Sequence, residues 1–348
     1  MISIENLSRD WPDFSLQNIN LEVKDREYFV ILGPTAAGKT LLLELIAGFY
    51  KPEGDQIRIS GEDVTMKDPE ERSVGFVYQD YSLFPHLTVE ENIKFGLQVN
   101  SFLKEEVIDK TQQIMDLFGI SHLTDRYPRT LSGGEQQKTA LARGLVLDPK
   151  VLLLDEPISS LDMPSQEEMR RELRRIHEET EVTTLHVTHN REEASWLGDR
   201  IAVMNHGEIV QVGNPDEVFR KPKSEFVANF VGIENIFEGK SKREGSVAKI
   251  DIGSNVQIEA TTEREGDVKI CIRPEDILIS KQPIKTSGRN MMDGQIVNIS
   301  NLDNISRVTV DVGKEFAVVI TKRSLFDMDL EVGKNVYITF KASSVHVV

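Results

Sequence analysis

The chain has one cysteine, Cys271, in 348 residues. Internal disulfides and thiolate metal clusters are thereby excluded. The composition suits a reducing compartment, and Cys271 reads as a small strand residue. No run of eighteen apolar residues occurs, and Met1-Ile2-Ser3-Ile4-Glu5-Asn6 lacks the charged-then-apolar pattern of a signal peptide. The expectation is a chain that neither spans a membrane nor is exported by that route. Positive charge is also short, with 41 Lys and Arg against 57 Asp and Glu, a net −16. That argues against nucleic acid as the main partner, because docking on phosphate backbones draws on a basic surface. The mixed-sign run Arg170-Arg171-Glu172-Leu173-Arg174-Arg175 reads as the wet face of a helix.

What is present supports two domains. The length exceeds one average domain, and 39% hydrophobic residues provide ample core. Up to about residue 230, apolar runs expected to be strands (Tyr28–Leu32, Val74–Tyr78, Val151–Leu154, Thr183–Val187, Ile201–Asn205) alternate with helical patterns such as Ser165–Glu179. Near-continuous apolar runs suit strands covered on both faces, hence an α/β fold around a largely parallel sheet. Residues from about 88 to 130 have only helical periodicity and read as a helical insertion. Beyond residue 235 short alternating runs appear, as at Val256–Ala260, Val308–Val312 and Val336–Phe340, with turn signals at Gly253, Gly266, Gly294, Gly313 and Gly333. They predict an all-β module over 236–348, a small barrel or sandwich.

Three motifs carry chemistry. Gly33-Pro34-Thr35-Ala36-Ala37-Gly38-Lys39-Thr40 lies between an apolar strand and the helical Leu41-Leu42-Leu43-Glu44-Leu45-Ile46-Ala47. Strand, glycine-containing loop, helix is the context of a phosphate-binding loop. Its N–H groups and positive helix end surround the phosphates of a nucleoside triphosphate, Lys39 adds a point charge, and the Thr40 hydroxyl suits Mg²⁺. Val151-Leu152-Leu153-Leu154-Asp155-Glu156 delivers two carboxylates at the carboxyl end of a strand, the edge where open α/β sheets bind ligands. Asp155 is placed for Mg²⁺ and Glu156 for orienting or deprotonating an attacking water. Leu131-Ser132-Gly133-Gly134-Glu135-Gln136 opens a further helix whose N-terminus also favours an anion. Two chains packed head-to-tail account for this surplus, each Ser132-Gly133-Gly134 capping the terminal phosphate held by the other.

With these motifs the sequence resembles the ATP-binding cassette (ABC) ATPases over its whole first domain, 1–235, as an α/β P-loop cassette with a helical insertion. The resemblance implies that Leu131 to Gln136 form the signature motif. It gives Gln79, in Val77-Tyr78-Gln79-Asp80, to Mg²⁺ and to relay with a membrane subunit, and Asp162, in Ser160-Leu161-Asp162, to the dimer interface. His189, in Val187-Thr188-His189-Asn190, would contact the γ-phosphate, and Trp11 stands where adenine stacks. A core position for Trp11 fits the residues as well. Ala36, Ala37, Leu41, Lys138 and Asn190 depart from the family pattern without removing a catalytic group, so a competent ATPase is expected. Tyr81–Asn92 is similar to the corresponding segment of members that drive import. There Leu83, Phe84 and Leu87 suit either a groove for a permease helix or internal packing.

The second domain resembles the OB-like TOBE modules of such ATPases, marked by Ile272-Arg273-Pro274-Glu275-Asp276. Its later segments are similar to molybdate-binding Mop-like modules, which implies an oxyanion site at Ser287, Arg289, Asn290, Thr321, Ser324, Lys341 and Ser343. Gly288 stands where the pattern usually has Ala. The implied machine is a homodimer at the cytoplasmic face of the membrane, joined to two transmembrane permease subunits and served by an extracytoplasmic oxyanion-binding protein. Its substrate is ATP with Mg²⁺, its cargo molybdate or tungstate, and the oxyanion is also a feedback ligand. The alternative is the same ATPase serving sulfate, phosphate, iron(III), a polyamine or a sugar, with a purely structural second domain.

Overall fold

In a computed structural model, which describes every residue except Gly54, Asp55, Ser246 and Asp303, the chain divides into two units, Met1–Val218 and Phe219–Val348. The strands of the first are β1 (Ile2–Trp11), β2 (Phe14–Val23), β3 (Tyr28–Leu32), β4 (Gln56–Ile59), β5 (Glu62–Asp63), β6 (Val74–Val77), β7 (Val151–Asp155), β8 (Thr183–Thr188), β9 (Arg200–Asn205) and β10 (Glu208–Gly213). The main sheet has the order β10-β9-β3-β8-β7-β6. It is parallel except for β10, which turns back on β9. Every residue of β3, β7 and β8 is buried, so these strands read as apolar runs and not as alternations. A second, antiparallel sheet, β2-β1-β4-β5, was not expected.

The helix α1 (Lys39–Ala47) shares one apolar cluster with both sheets. Ile2, Leu7 and Ile19 come from one sheet, Phe29, Ile31, Leu153 and Val187 from the other, and Leu42, Leu43, Leu45 and Ile46 from the helix. Each such side chain contributes about 1.5–3 kcal/mol on full burial, so the helix behind the Gly33–Thr40 loop is held from two sides. Its C-terminus is closed by Gly48 at φ 93°, whose N–H reaches Glu44 O and Leu45 O, and by Arg72. The Arg72 side chain is 1% exposed. Its Nη1 donates to Leu45 O and Ile46 O, both at 2.9 Å, Nη2 to Thr65 O at 3.0 Å and Nε to Lys67 O at 2.9 Å.

Within the expected insertion lie α2 (Val89–Val99) and α3 (Lys104–Leu117), followed by α4 (Gly133–Leu145). Thr88 and Glu91 form a reciprocal capping box at the start of α2. Next come α5 (Met163–Thr180) and α6 (Arg191–Leu197). The basic run on α5 is paired, Arg170 to Glu192, Arg171 to Glu167, Arg174 to Glu178 and Arg175 to Glu172, and is a solvated face as its mixed signs predict.

The second unit contains β11 (Asn235–Glu244), β12 (Val247–Asp251), β13 (Gln257–Ala260), β14 (Gly266–Ile272), β15 (Leu278–Ser280), β16 (Asn290–Leu302), β17 (Ile305–Asp311), β18 (Glu315–Thr321), β19 (Asn335–Phe340) and β20 (Val345–Val347). They form two five-stranded antiparallel sheets, β13-β12-β11-β14-β20 and β15-β19-β16-β17-β18. Ile250, Ile258 and Ile270 from one meet Val308, Phe316 and Ile338 from the other in a common core. Asn235, 2% exposed, stitches the two sheets. It donates to Ile272 O and Ala317 O and accepts from Ala317 N–H. Residue 235 is therefore the first of the β strands, but the helix Glu225–Phe230 ahead of it already belongs with this unit. Lys269 Nζ meets Glu225 at 2.6 Å, and His346 Nε2 lies 2.9 Å from Pro222 O. Gly253, Gly266, Gly313 and Gly333 have positive φ, as their turn signals predict. Gly294 does not: it lies within β16, where a Cβ would come within 2.5 Å of Asp311 O. It is a close-approach glycine, not a turn.

Candidate functional site

Four adjacent parallel strands, β3, β8, β7 and β6, end at the same edge of the main sheet. The segments that leave them carry Gly33–Thr40, His189, Asp155 with Glu156, and Gln79 in turn. A cavity of about 450 Å³ opens there, lined by Thr35 to Leu41, Gln79, Glu156 and the hairpin residues Asp13 and Phe14.

The loop is fixed by its own backbone. Gly33 N–H donates to Thr188 O and Gly207 N–H to Ala37 O. A Cβ at residue 33 would lie 2.4 Å from Met204 O, so only glycine fits. Gly38 takes φ 100° immediately before α1. Ala36 also has a positive φ, 65°. This conformation costs a side-chain-bearing residue about 1–2 kcal/mol. Lys39, 5% exposed, donates from Nζ to Gly33 O at 3.0 Å and Pro34 O at 2.9 Å. Its Nζ stands 3.8 Å from Glu156 Oε1. Burial lowers the Lys39 pKa, against the nearby Glu156 and Asp155 charges.

Thr40 Oγ1 donates to Asp155 Oδ1 at 3.0 Å. Burial raises the Asp155 pKa, the Thr40 hydrogen bond opposes it, and Glu156 adds to the rise. Glu156 Oε2 lies 2.9 Å from His189 Nδ1. The Glu156 backbone has φ 42° and is held on both sides: its N–H donates to Val187 O, and its C=O accepts from Ser159 N–H and Oγ. The strain is thus local and over-determined. Thr40 and Gln79 line the cavity and Asp155, buried, is bonded to Thr40 beside it; their hard oxygens are of the kind that fits Mg²⁺.

Trp11 lies outside that cavity lining. It is half-buried, edge-on to Tyr50 at 5.7 Å and under the Arg9 guanidinium at 5.3 Å. Its cross-strand partner Phe14 reaches the loop instead. A Cβ at Gly38 would meet the Phe14 ring at 2.7 Å. Sequence reading missed Phe14, although a two-residue turn after Trp11 places it directly opposite.

A separate cleft of about 470 Å³ is lined by Ser132, Gly133, Gly134, Glu135, Lys138, Ser160, Leu161, Asp162, Ser165, Glu168 and Met169. It shares no lining residue with the phosphate-loop cavity. Ser132 caps α4 by accepting from Glu135 N–H, and Glu135 Oε2 accepts from Ser132 N–H at 2.7 Å. This capping box leaves the Gly133 and Gly134 N–H groups out, and as first-turn donors they have no acceptor within the helix. Leu131 is buried, and the Gln136 amide is bound to Pro128 O and Leu131 O. These two residues brace the cleft without lining it. In the insertion, Phe84 packs on Phe95 at 4.7 Å while Leu83 and Leu87 stay half-buried.

The expected oxyanion set is divided. Asn290 pairs with Phe340 at one end of β16, which places Ser287, Arg289, Lys341 and Ser343 near that end. Thr321 pairs with Ile305, beyond the other end of β16. Thirteen residues of strand separate the ends, up to about 40 Å when straight. Thr321 and Ser324 are bonded to each other at the start of the helix Lys322–Asp327. The buried Asn290 side chain is bonded through both its oxygen and its nitrogen to the backbone of Glu259, at 2.7 and 2.9 Å. Arg289 Nη1 stands 3.5 Å from the Glu259 carboxylate.

Residues 16–159 match the family model "ABC transporter", and residues 286–347 match "TOBE domain". The chain is 43% identical to the molybdate/tungstate import ATP-binding protein WtpC of Pyrococcus abyssi, over the full length of both. It is also 43% identical to the protein of that name from Pyrococcus horikoshii, over all of this chain and 99% of the other. Among solved structures, a dimeric bacterial ABC transporter cassette superposes with a TM-score of 0.56 at 29% identity, covering 62% of this chain and 99% of that one.

Proposed function

The chain belongs to the ABC transporter family, and from that premise we propose that it is the ATP-hydrolysing subunit of a molybdate or tungstate importer. The observation that carries the hydrolytic reading is the convergence of Lys39, Asp155, Glu156 and His189 on one sheet edge, with Glu156 Oε2 2.9 Å from His189 Nδ1. The loop N–H groups and Lys39 hold the phosphates. Thr40, Asp155 and Gln79 hold Mg²⁺, which when bound neutralises charge on the transferring phosphoryl group. Glu156 accepts the proton of the attacking water as its oxygen bonds to the terminal phosphorus and the bond to ADP breaks. His189 orients the carboxylate from its other side.

One copy does not complete this site, because the Ser132-Gly133-Gly134 cleft is separate from the phosphate loop. A second copy, facing head-to-tail, brings its α4 N-terminus and Asp162 over the terminal phosphate. No described helix is long and apolar enough to cross a membrane. The likeness to import ATP-binding proteins supports coupling to transport through permease subunits, with this chain peripheral on their cytoplasmic side. A Glu156→Gln variant with ATP and Mg²⁺ is expected to dimerise in light scattering and to hydrolyse at least about 100-fold more slowly. A variant that stays monomeric, even beside its permease, overturns the shared-site reading. The cargo rests on the likeness to the two Pyrococcus proteins, and ATP turnover driven by sulfate, iron(III) or a polyamine in its place would overturn it.

A second reading concerns the β unit. Ser287, Arg289, Lys341 and Ser343 lie near one end and Thr321 with Ser324 near the other. An oxyanion needing all of them would lie between two copies, and the same anion would then govern turnover.

A further inference from the structure

Between β3, β8 and α6 lies a row of buried polar groups that the hydrolytic scheme does not use. Tyr28, His186 and Glu193 are 1%, 0% and 3% exposed. Tyr28 Oη lies 2.9 Å from His186 Nδ1. Burial keeps the phenol neutral; its oxygen either donates to Nδ1 or accepts from it, according to the imidazole tautomer, and the other ring nitrogen is Nε2. That nitrogen stands 3.6 Å from Glu193 Oε2 and has no hydrogen-bond partner among the described residues. The same carboxylate oxygen accepts from Thr188 Oγ1 at 2.8 Å. Thr188 Oγ1 accepts from Asn190 N–H at 3.0 Å. Asn190 Oδ1 closes the ring by accepting from the Glu192 and Glu193 N–H groups.

His189 lies between the two anchored residues. Its own side chain is 52% exposed, so core packing does not fix it. Besides its contact with Glu156, the imidazole is positioned by the backbone on either side, which is tied to Gly33 N–H through Thr188 O and, through the Thr188 hydroxyl, to one buried carboxylate.

We propose that Glu193 is a positioning residue for hydrolysis, fixing the turn Thr188-His189-Asn190 through the Thr188 hydroxyl and so setting His189 against Glu156. A filler of this space would serve as well without charge, since a buried carboxylate is costly unless it is used as an acceptor. Displacing a reacting group by about 1 Å can cost 100-fold in rate, so a modest loosening of this turn is enough to be measured.

The inference rests on the hydrolytic reading. Its test is steady-state ATP turnover by the full chain assembled with its permease, with nucleotide affinity and circular dichroism as controls. Glu193→Ala should lower kcat at least about tenfold while KM for ATP stays within about twofold. Thr188→Val should do the same, and the double variant should be no worse than either alone. Glu193→Gln and Thr188→Ser, which keep the acceptor and the hydroxyl, should recover most of the rate. Folded Glu193→Ala and Thr188→Val proteins turning over within about twofold of wild type would overturn the proposal, as would a loss confined to KM. Should Glu193→Ala fail to fold, the contrast between Thr188→Val and Thr188→Ser decides. A wild-type assembly that hydrolyses no ATP would instead sink the hydrolytic reading itself.

Discussion

Arg72 offers the sharpest test of how the phosphate loop is supported. Its guanidinium is almost fully buried and gives four hydrogen bonds to carbonyls, two of them from the last turn of α1. The cation thus lies at the negative end of the helix whose positive end begins at Lys39. Replacing Arg72 with Met keeps much of the apolar stem but leaves four carbonyls without this donor. Leu45 O keeps the Gly48 N–H and Lys67 O keeps Lys51 Nζ, so Ile46 O and Thr65 O are the two acceptors left unpaired, and at about 1 kcal/mol for each the expected loss is about 2 kcal/mol. In a domain of this size that lowers Tm by roughly 4–8 °C. Lys keeps the charge but lacks the planar fork, so Arg72→Lys should lose about half as much. Both tryptophans, Trp11 and Trp196, lie in the first unit, so tryptophan fluorescence during urea or thermal unfolding follows that unit selectively. An Arg72→Met protein within about 1 kcal/mol of wild type would refute the reasoning, because the four bonds would then be worth no more than their replacement by water.

His186 makes stability depend on acid. Burial lowers its pKa to about 3 from an ordinary 6.5, so the unfolded chain binds a proton that the folded chain refuses. Stability is complete above about pH 6.5 and falls as pH drops toward 3, by up to about 1.4 kcal/mol per unit. Glu193, raised by burial, acts with the opposite sign in the carboxylate range. The check is therefore the difference between wild type and His186→Leu in urea titrations from pH 7 to 4, and equal slopes would contradict it. In the β unit, tungstate binding measured by calorimetry on the full chain should be lost in Arg289→Ala and strengthened in Glu259→Gln, which removes the carboxylate that now faces Arg289. No binding by wild type at millimolar tungstate would leave the unit a structural module.

The strands of the main sheet were legible because burial on both faces writes itself as an unbroken apolar run, and Val151–Asp155 is the plainest case. The Gly33–Thr40 loop, the Asp155-Glu156 pair and His189 stand out in the sequence because each lies at the end of such a run or just past it. The antiparallel sheet does not: β1 and β2 alternate weakly, and their register breaks twice, between Ile4 and Leu7 and between Leu7 and Arg9. Arg72 follows Pro69-Glu70-Glu71 and reads as one more solvated charge, since its acceptors come from residues 5 to 27 positions away. Asn290 looked like an anion donor because local sequence gives no sign of its partner, 31 positions earlier. The division of the oxyanion residues depends on strand register over β16 to β19, which no short motif records.

Glu156 carries one more consequence. Its left-handed backbone, φ 42°, is a shape that glycine adopts without effort and glutamate only under constraint, at about 1–2 kcal/mol. Glycine at this position would relax the bend and erase the proposed base together. Robustness and chemistry therefore pull in opposite directions at a single residue, and a search for hardier variants of this chain would drift toward silence there first.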